Sequence, residues 1–333
     1  MTLKNRIHQP QGDPFMTISK TPAPATLGSQ YLQSLLAVSL TLLLSAWPML
    51  PIQAQNALSF NGSTLKPTTA PQAPGFKVDL VGVNLWFTDT GGTPGQDVLM
   101  LLHPNTGSSE VWAMQSAVFA KAGYRVIAFD RRGWGKSFAK TPSDNGQSSI
   151  AQDLEALVEH LKIDRFHLLG IAGGGFAAID YAAWKPERIK SLIVGGSTAQ
   201  LSEPTMKEVV DRIEIPGIRK LPAYFREVGP SYRARDPEGT KAWVEIEERS
   251  QQSGTKAQAL RTPNTFAKIA TIKTPTLVIA GGADLLAPPA LMQLWVKYLD
   301  HPQWVLLPEA GHALSWEEPE RFDQAVIDFL KTH

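Results

Sequence analysis

Glycine-rich turns frame three short segments that hold the residues best placed to do chemistry. They are Gly170-Ile171-Ala172-Gly173-Gly174, Gly281-Gly282-Ala283-Asp284 and Glu309-Ala310-Gly311-His312. An imidazole accepts and returns a proton near neutral pH, so His312 is a candidate base. Taken alone, such a histidine is an ordinary loop residue, and Asp284 is equally a helix cap ahead of Pro288 and Pro289. The chain has no cysteine, which removes thiolate nucleophiles, disulfides and thiolate metal sites. His103, His160, His167 and His301 are too scattered for a metal centre, and none is expected. Gly173-Gly174-Gly175 is followed by no Lys-Ser/Thr pair and no acidic ribose ligand in register, so no nucleotide cofactor is expected either. Arg131 and Arg132 suit a loop held by ion pairs better than an anion clamp.

The elements that must position these segments alternate between strand and helix. Short apolar runs read as buried strands at Val98 to His103, Tyr124 to Asp130, Phe166 to Ala172, Ile189 to Val194, Pro275 to Ala280 and Gln303 to Leu307. Ile150, Leu154, Leu157, Val158 and Leu161 recur at helical spacing, as do Phe322, Ala325, Val326, Phe329 and Leu330. Strand, helix, strand in succession implies right-handed crossovers and a mostly parallel sheet covered on both faces. Phe76 to Val81 and Val83 to Phe87, split by Gly82, fit an antiparallel hairpin at the sheet edge. The rhythm breaks from Ser197 to Thr274, where polar helix-prone segments are divided by Pro216, Gly217, Pro230 and Pro237. An insertion there should lie over the carboxyl edge of the sheet, where open parallel sheets bind ligands.

With the turn after a strand at 166–171, Asp284 after a later strand, His312 after the last, and Asp130-Arg131-Arg132-Gly133-Trp134-Gly135-Lys136-Ser137 in a loop, the chain resembles the α/β-hydrolase family. The resemblance runs from about Phe76 to the end and implies an α/β-hydrolase fold with a helical cap. It implies Asp284 as the acid that orients His312, His312 as general base, and backbone N–H groups of Gly173 and Asn105 as the oxyanion hole. Pro104 stands where a glycine is usual in the oxyanion loop. The family's nucleophile falls on Ala172, whose methyl group cannot attack a carbonyl, and neither Ile171 nor Gly173 substitutes. Two origins fit: a serine exchanged for alanine in a serine hydrolase, or alanine as the chain's own residue. The expected ligand is a small, largely apolar carbonyl compound such as an ester or lactone. Trp134, Tyr224, Phe225, Tyr232 and Trp243 are candidates to line its pocket. A non-catalytic ligand-binding protein, and a cofactor-free lyase or oxygenase using His312 as base, are the competing classes.

Composition and the amino-terminal segment set the context. With 333 residues, 43% hydrophobic and 19% charged, the chain is globular rather than disordered or fibrous. A formal net charge of +1 offers no field to draw nucleic acid. Tyr31 to Trp47 is a compact apolar run that follows Lys4, Arg6 and Lys20 and precedes Pro48 and Pro51, as in a signal peptide. Cleavage is expected after Ala54, giving an exported protein, periplasmic or extracellular; membrane association is expected only if the segment stays uncleaved. The expected division is residues 1–54 as signal, 55–74 as leader, 75–197 and 275–333 as core, and 198–274 as helical cap.

Overall fold

The structure is a computed structural model that describes residues 70–333; the expected signal segment, and all of the leader before residue 70, lie outside the described residues. One sheet holds strands β1 (Gly75–Leu80), β2 (Val83–Asp89), β3 (Val98–Leu102), β4 (Arg125–Phe129), β5 (Phe138–Ala139), β6 (Phe166–Ile171), β7 (Ile189–Gly195), β8 (Thr276–Gly281) and β9 (Gln303–Leu307). Their order is β1-β2-β4-β3-β6-β7-β8-β9, with β5 beside β2. From β4 to β9 every pairing is parallel, while β1 and β4 both run antiparallel to β2. This is the α/β-hydrolase fold, a mostly parallel sheet flanked by helices.

The helices are α1 (Ala113–Lys121), α2 (Ile150–His160), α3 (Gly173–Trp184), α4 (Pro204–Ile213), α5 (Ala223–Glu227), α6 (Pro230–Arg235), α7 (Pro237–Ser250), α8 (Phe266–Ile269), α9 (Pro289–Val296), α10 (Leu314–Glu317) and α11 (Pro319–Leu330). Both sheet faces are dry, which is why the central strands are apolar throughout rather than alternating. Met100 and Leu102 pack with Leu154 and Leu157 of α2, Ile179 of α3 and Trp295 of α9. Leu99 and Leu101 point the other way, to Phe119 of α1 and Phe322 and Phe329 of α11. The start of α2 is fixed by a capping box in which the Ser149 hydroxyl accepts the Gln152 N–H and the Gln152 side chain accepts the Ser149 N–H.

The hairpin of β1 and β2 turns at Gly82, whose φ of +72° favours glycine. It forms the sheet edge as expected, with β1 outermost, and the last three residues of β2 join it to β4. Helices α4 to α8 occupy the interval between β7 and β8, and α5 to α7 share a third apolar cluster with α10 through Val228, Tyr232, Trp243, Ile246 and Trp316.

Candidate active site

The turn between β6 and α3 forces Ala172 to φ +48° and ψ −115°, a region an alanine occupies only under constraint. Its N–H donates to the Gly195 carbonyl at 2.9 Å, and its own carbonyl accepts the Gly175 N–H at 3.0 Å and the Ser197 hydroxyl at 2.9 Å. Crowding makes glycine necessary on both sides. A Cβ on Gly170 would strike the backbone of Gly174, and one on Gly174 would strike the Leu102 carbonyl.

Gly173 opens α3, so its N–H has no intrahelical acceptor and lies at the positive end of the helix. The Asn105 side chain packs directly over it, its Oδ1 the atom nearest to where a Gly173 Cβ would sit. Arg131 holds that amide in place: Nη1 donates to Asn105 Oδ1 at 2.9 Å, and Nη2 donates to the Pro104 carbonyl at 3.0 Å. Because a guanidinium only donates, Asn105 Oδ1 is the atom that accepts from it. Trp134 donates its indole N–H to the Asn105 carbonyl at 2.7 Å and carries the Arg131 guanidinium on its ring face at 4.4 Å. Burial lowers the Arg131 pKa to about 9 against the raising pull of Asp130. His103 is buried and neutral, accepting the Arg131 N–H at Nε2 (3.1 Å) and lying 2.7 Å from the Pro104 carbonyl at Nδ1.

Asp284 and His312 meet directly. His312 Nδ1 lies 2.8 Å from Asp284 Oδ2, while Oδ1 accepts the N–H groups of Leu286 and Ala287 at 2.8 Å each. The cap and the histidine partner are thus one carboxylate serving both tasks. A carboxylate only accepts, which puts a proton on Nδ1 and leaves Nε2 as the ring nitrogen free to take up a proton. Burial alone would depress the His312 pKa, but the charge and hydrogen bond of Asp284, with the charges of Glu227 and Glu317, outweigh it and set it at about 9. The end of β7 draws the pieces together. Gly195 receives the Ala172 N–H, and a Cβ on the next residue, Gly196, would lie 3.3 Å from the His312 carbonyl and 3.5 Å from Asp284 Oδ2.

Two carboxylates absent from the sequence reading complete the setting. The Glu227 carbonyl accepts the N–H groups of His312 (2.7 Å) and Ala313 (3.0 Å), tying the end of α5 to the histidine loop. Glu317 Oε2 accepts the N–H groups of Gly229 and Gly311 at 2.9 Å each, and burial pushes its carboxyl up to about 7 against those two bonds. A narrow cleft opens beside His312, walled by Thr106, Val111, Ile171, Glu227, Trp243 and Trp316. Of the five expected lining aromatics, Trp243 lines it. Tyr232 is buried in the third cluster with its hydroxyl 3.3 Å from Asp236, Tyr224 packs half-buried against that cluster, Phe225 is exposed beneath the Arg233 guanidinium, and Trp134 serves the Asn105 loop. No pattern in the sequence marks Glu227, one of several acids in a polar segment. Glu317 left a fainter sign, an acid directly after Leu314-Ser315-Trp316.

Comparison with known proteins places this geometry. The family model described as the alpha/beta hydrolase family matches residues 99–325. A 2-hydroxy-6-oxononadienedioate/2-hydroxy-6-oxononatrienedioate hydrolase of Paraburkholderia phymatum is 29% identical over 261 residues, 73% of this chain and 90% of that protein. A thermophilic esterase from Thermogutta terrifontis is similar in structure, with a TM-score of 0.65 and 26% identity over 78% of this chain and 99% of its own. The enol-lactonase from Burkholderia xenovorans shares the fold with a TM-score of 0.64 and 24% identity, covering 77% of this chain and all of that one. Because the family match runs from within β3 to within α11, it takes in the strained turn at Ala172 and both partners of the Asp284–His312 pair, and the chain belongs to the alpha/beta hydrolase family.

Proposed function

We propose that the chain binds a small, largely apolar ester or lactone under a helical cap made by residues 198–274, and that Ala172 holds the nucleophile position of a serine-type site. The Asp284–His312 hydrogen bond beside the strained turn at Ala172 carries the reading. With a methyl at residue 172, no acyl-enzyme forms, and the remaining route is attack by water. His312 Nε2 takes a proton from water as the hydroxide adds to the carbonyl carbon, and the imidazolium then returns the proton to the leaving oxygen. The Gly173 N–H, at the start of α3, receives the developing oxyanion. Hydrolysis named for the relative from Paraburkholderia phymatum, and the esterase activity named for the one from Thermogutta terrifontis, support the same reaction class.

His312 must be neutral to act as base, and with its pKa at about 9 only about 1% of it is neutral at pH 7. Slow turnover is therefore expected, rising about tenfold per pH unit and levelling near pH 9. Single-turnover hydrolysis of p-nitrophenyl acetate followed from pH 6 to 10 tests this, with His312→Ala as control. A flat profile, or a rate untouched by the His312 change, contradicts it. The binding-only alternative draws on the same two features, the methyl at Ala172 and a histidine that is cationic at neutral pH; it predicts saturable ligand binding with no hydrolysis above background at any pH.

A further inference from the structure

Three successive N–H groups of the histidine loop are taken by two glutamates. Those of His312 and Ala313 go to the Glu227 carbonyl at 2.7 and 3.0 Å, and that of Gly311 goes to Glu317 Oε2 at 2.9 Å. The same Oε2 accepts the N–H of Gly229, between α5 and α6, at 2.9 Å. Both glycines are buried, and their main chains touch. A Cβ on Gly311 would lie 2.5 Å from the Gly229 nitrogen, and one on Gly229 would lie 2.9 Å from the Gly311 nitrogen. Two N–H donors this close cannot serve each other, and a buried donor left unpaired is costly. One carboxylate oxygen, with two lone pairs, satisfies both.

Glu317 acts here through that one oxygen. Its Oε1 is buried with no hydrogen-bond partner, and burial raises its carboxyl to about 7. A carboxyl protonated on Oε1 still offers Oε2 to both N–H groups, so the requirement is for an acceptor rather than a charge. The residue is anchored at its own backbone as well: its N–H donates to the Ala313 carbonyl at 3.0 Å, and its carbonyl accepts Arg235 of α6 at 3.1 Å. It does not line the cleft.

We infer that Glu317 is a positioning residue for His312: its Oε2 pins the chain at Gly229 to the histidine loop at Gly311, and this keeps the imidazole on Asp284. The inference rests on the proposed function for what His312 does, while the pinning stands on geometry. Without Oε2, Gly229 and Gly311 lose their shared acceptor, and the ring one residue on loses its alignment with Asp284 Oδ2, 2.8 Å away.

The test compares the parent with Glu317→Met, which keeps an unbranched side chain without an acceptor, and Glu317→Gln, which keeps one oxygen and drops the charge. His312 is followed by NMR titration of its imidazole, which faces the charges of Asp284, Glu227 and Glu317. Gly229 and Gly311 are followed by amide exchange. Glu317→Met should speed exchange of both amides at least about tenfold, while Glu317→Gln leaves it near the parent's. The His312 pKa should fall further in Glu317→Met than in Glu317→Gln, because Asp284 then holds the ring less well. Equal pKa changes in the two variants would mean that Glu317 acts by charge alone. A lower melting temperature with the histidine titration unmoved would mean that it only supports the fold. Either result overturns the inference. Should Glu317→Met fail to fold, the parent and Glu317→Gln decide it: in each, the two glycine amides should be protected to within about tenfold of one another, and a wider gap, or faster exchange in Glu317→Gln, overturns it. Failure of the proposed function looks different: the exchange and titration changes would appear with no ester turnover in the parent, whereas parent turnover with His312 unmoved in Glu317→Met would leave the hydrolase reading and remove this one.

Discussion

At residue 172 the backbone and the side chain disagree. The turn bears φ +48° and is built so tightly that two flanking glycines have no room for a methyl group, yet the side chain it presents is chemically inert. Strain of this kind costs on the order of 1–3 kcal/mol. Ala172→Gly should therefore gain about 1 kcal/mol in urea unfolding, because glycine reaches positive φ freely while losing some chain entropy. At His312 the expectation is electrostatic. Its folded pKa of about 9 lies above the unfolded value near 6.5, so it stabilises the fold fully below about pH 6.5, and that contribution is lost as pH rises through about 9. Asp284→Asn removes the largest raising influence, and NMR titration of the imidazole should show the pKa falling by more than one unit. An unchanged titration would mean that the 2.8 Å pair does not govern the ring. Both residues were readable from their turns; Glu227 and Glu317 were not, because what makes them matter is burial created by packing between α5, α10 and the histidine loop.

Among the elements, α3 and the loop after β3 decide the site's shape. A Cβ on Gly174 would press into the backbone at Leu102, which cannot yield as a flexible side chain would. Gly174→Ala should cost at least about 3 kcal/mol in chemical denaturation, at the upper end for overpacking because the obstacle is main chain. The strands of the parallel sheet were legible because both faces are covered and each strand is a solid apolar run. The pairing of β2 with β4, and β5, were not, since a two-residue strand leaves no period to detect. The helices between β7 and β8 were legible as polar helix-prone segments, and their dry contacts, Trp243 and Tyr232 against Trp316, emerge only when α7 and α10 are brought together. Asn105 shows the same limit. Its position in the loop was foreseen, but the side-chain amide fixed by Arg131 depends on a contact 26 residues away in sequence.

The whole chain joins this core to a segment that reads as an export signal, and we propose that the working protein is secreted or periplasmic. Intact mass of the exported fraction should correspond to a chain starting at Gln55; a mass retaining residues 1–54 would contradict that. Without cysteine, such a protein relies on its sheet and the two apolar layers beside it for stability. The central feature of the proposed function is the hydrogen-bonded Asp284–His312 pair together with a strained turn that lacks an attacking oxygen. The most direct test supplies that oxygen, by comparing the parent, Ala172→Ser, and Ala172→Ser with His312→Ala for hydrolysis of short acyl p-nitrophenyl esters. Removing a triad nucleophile typically costs about 10⁶ in turnover, so the serine variant should gain several powers of ten and lose them again with the histidine. A serine variant as inert as the parent would contradict the account.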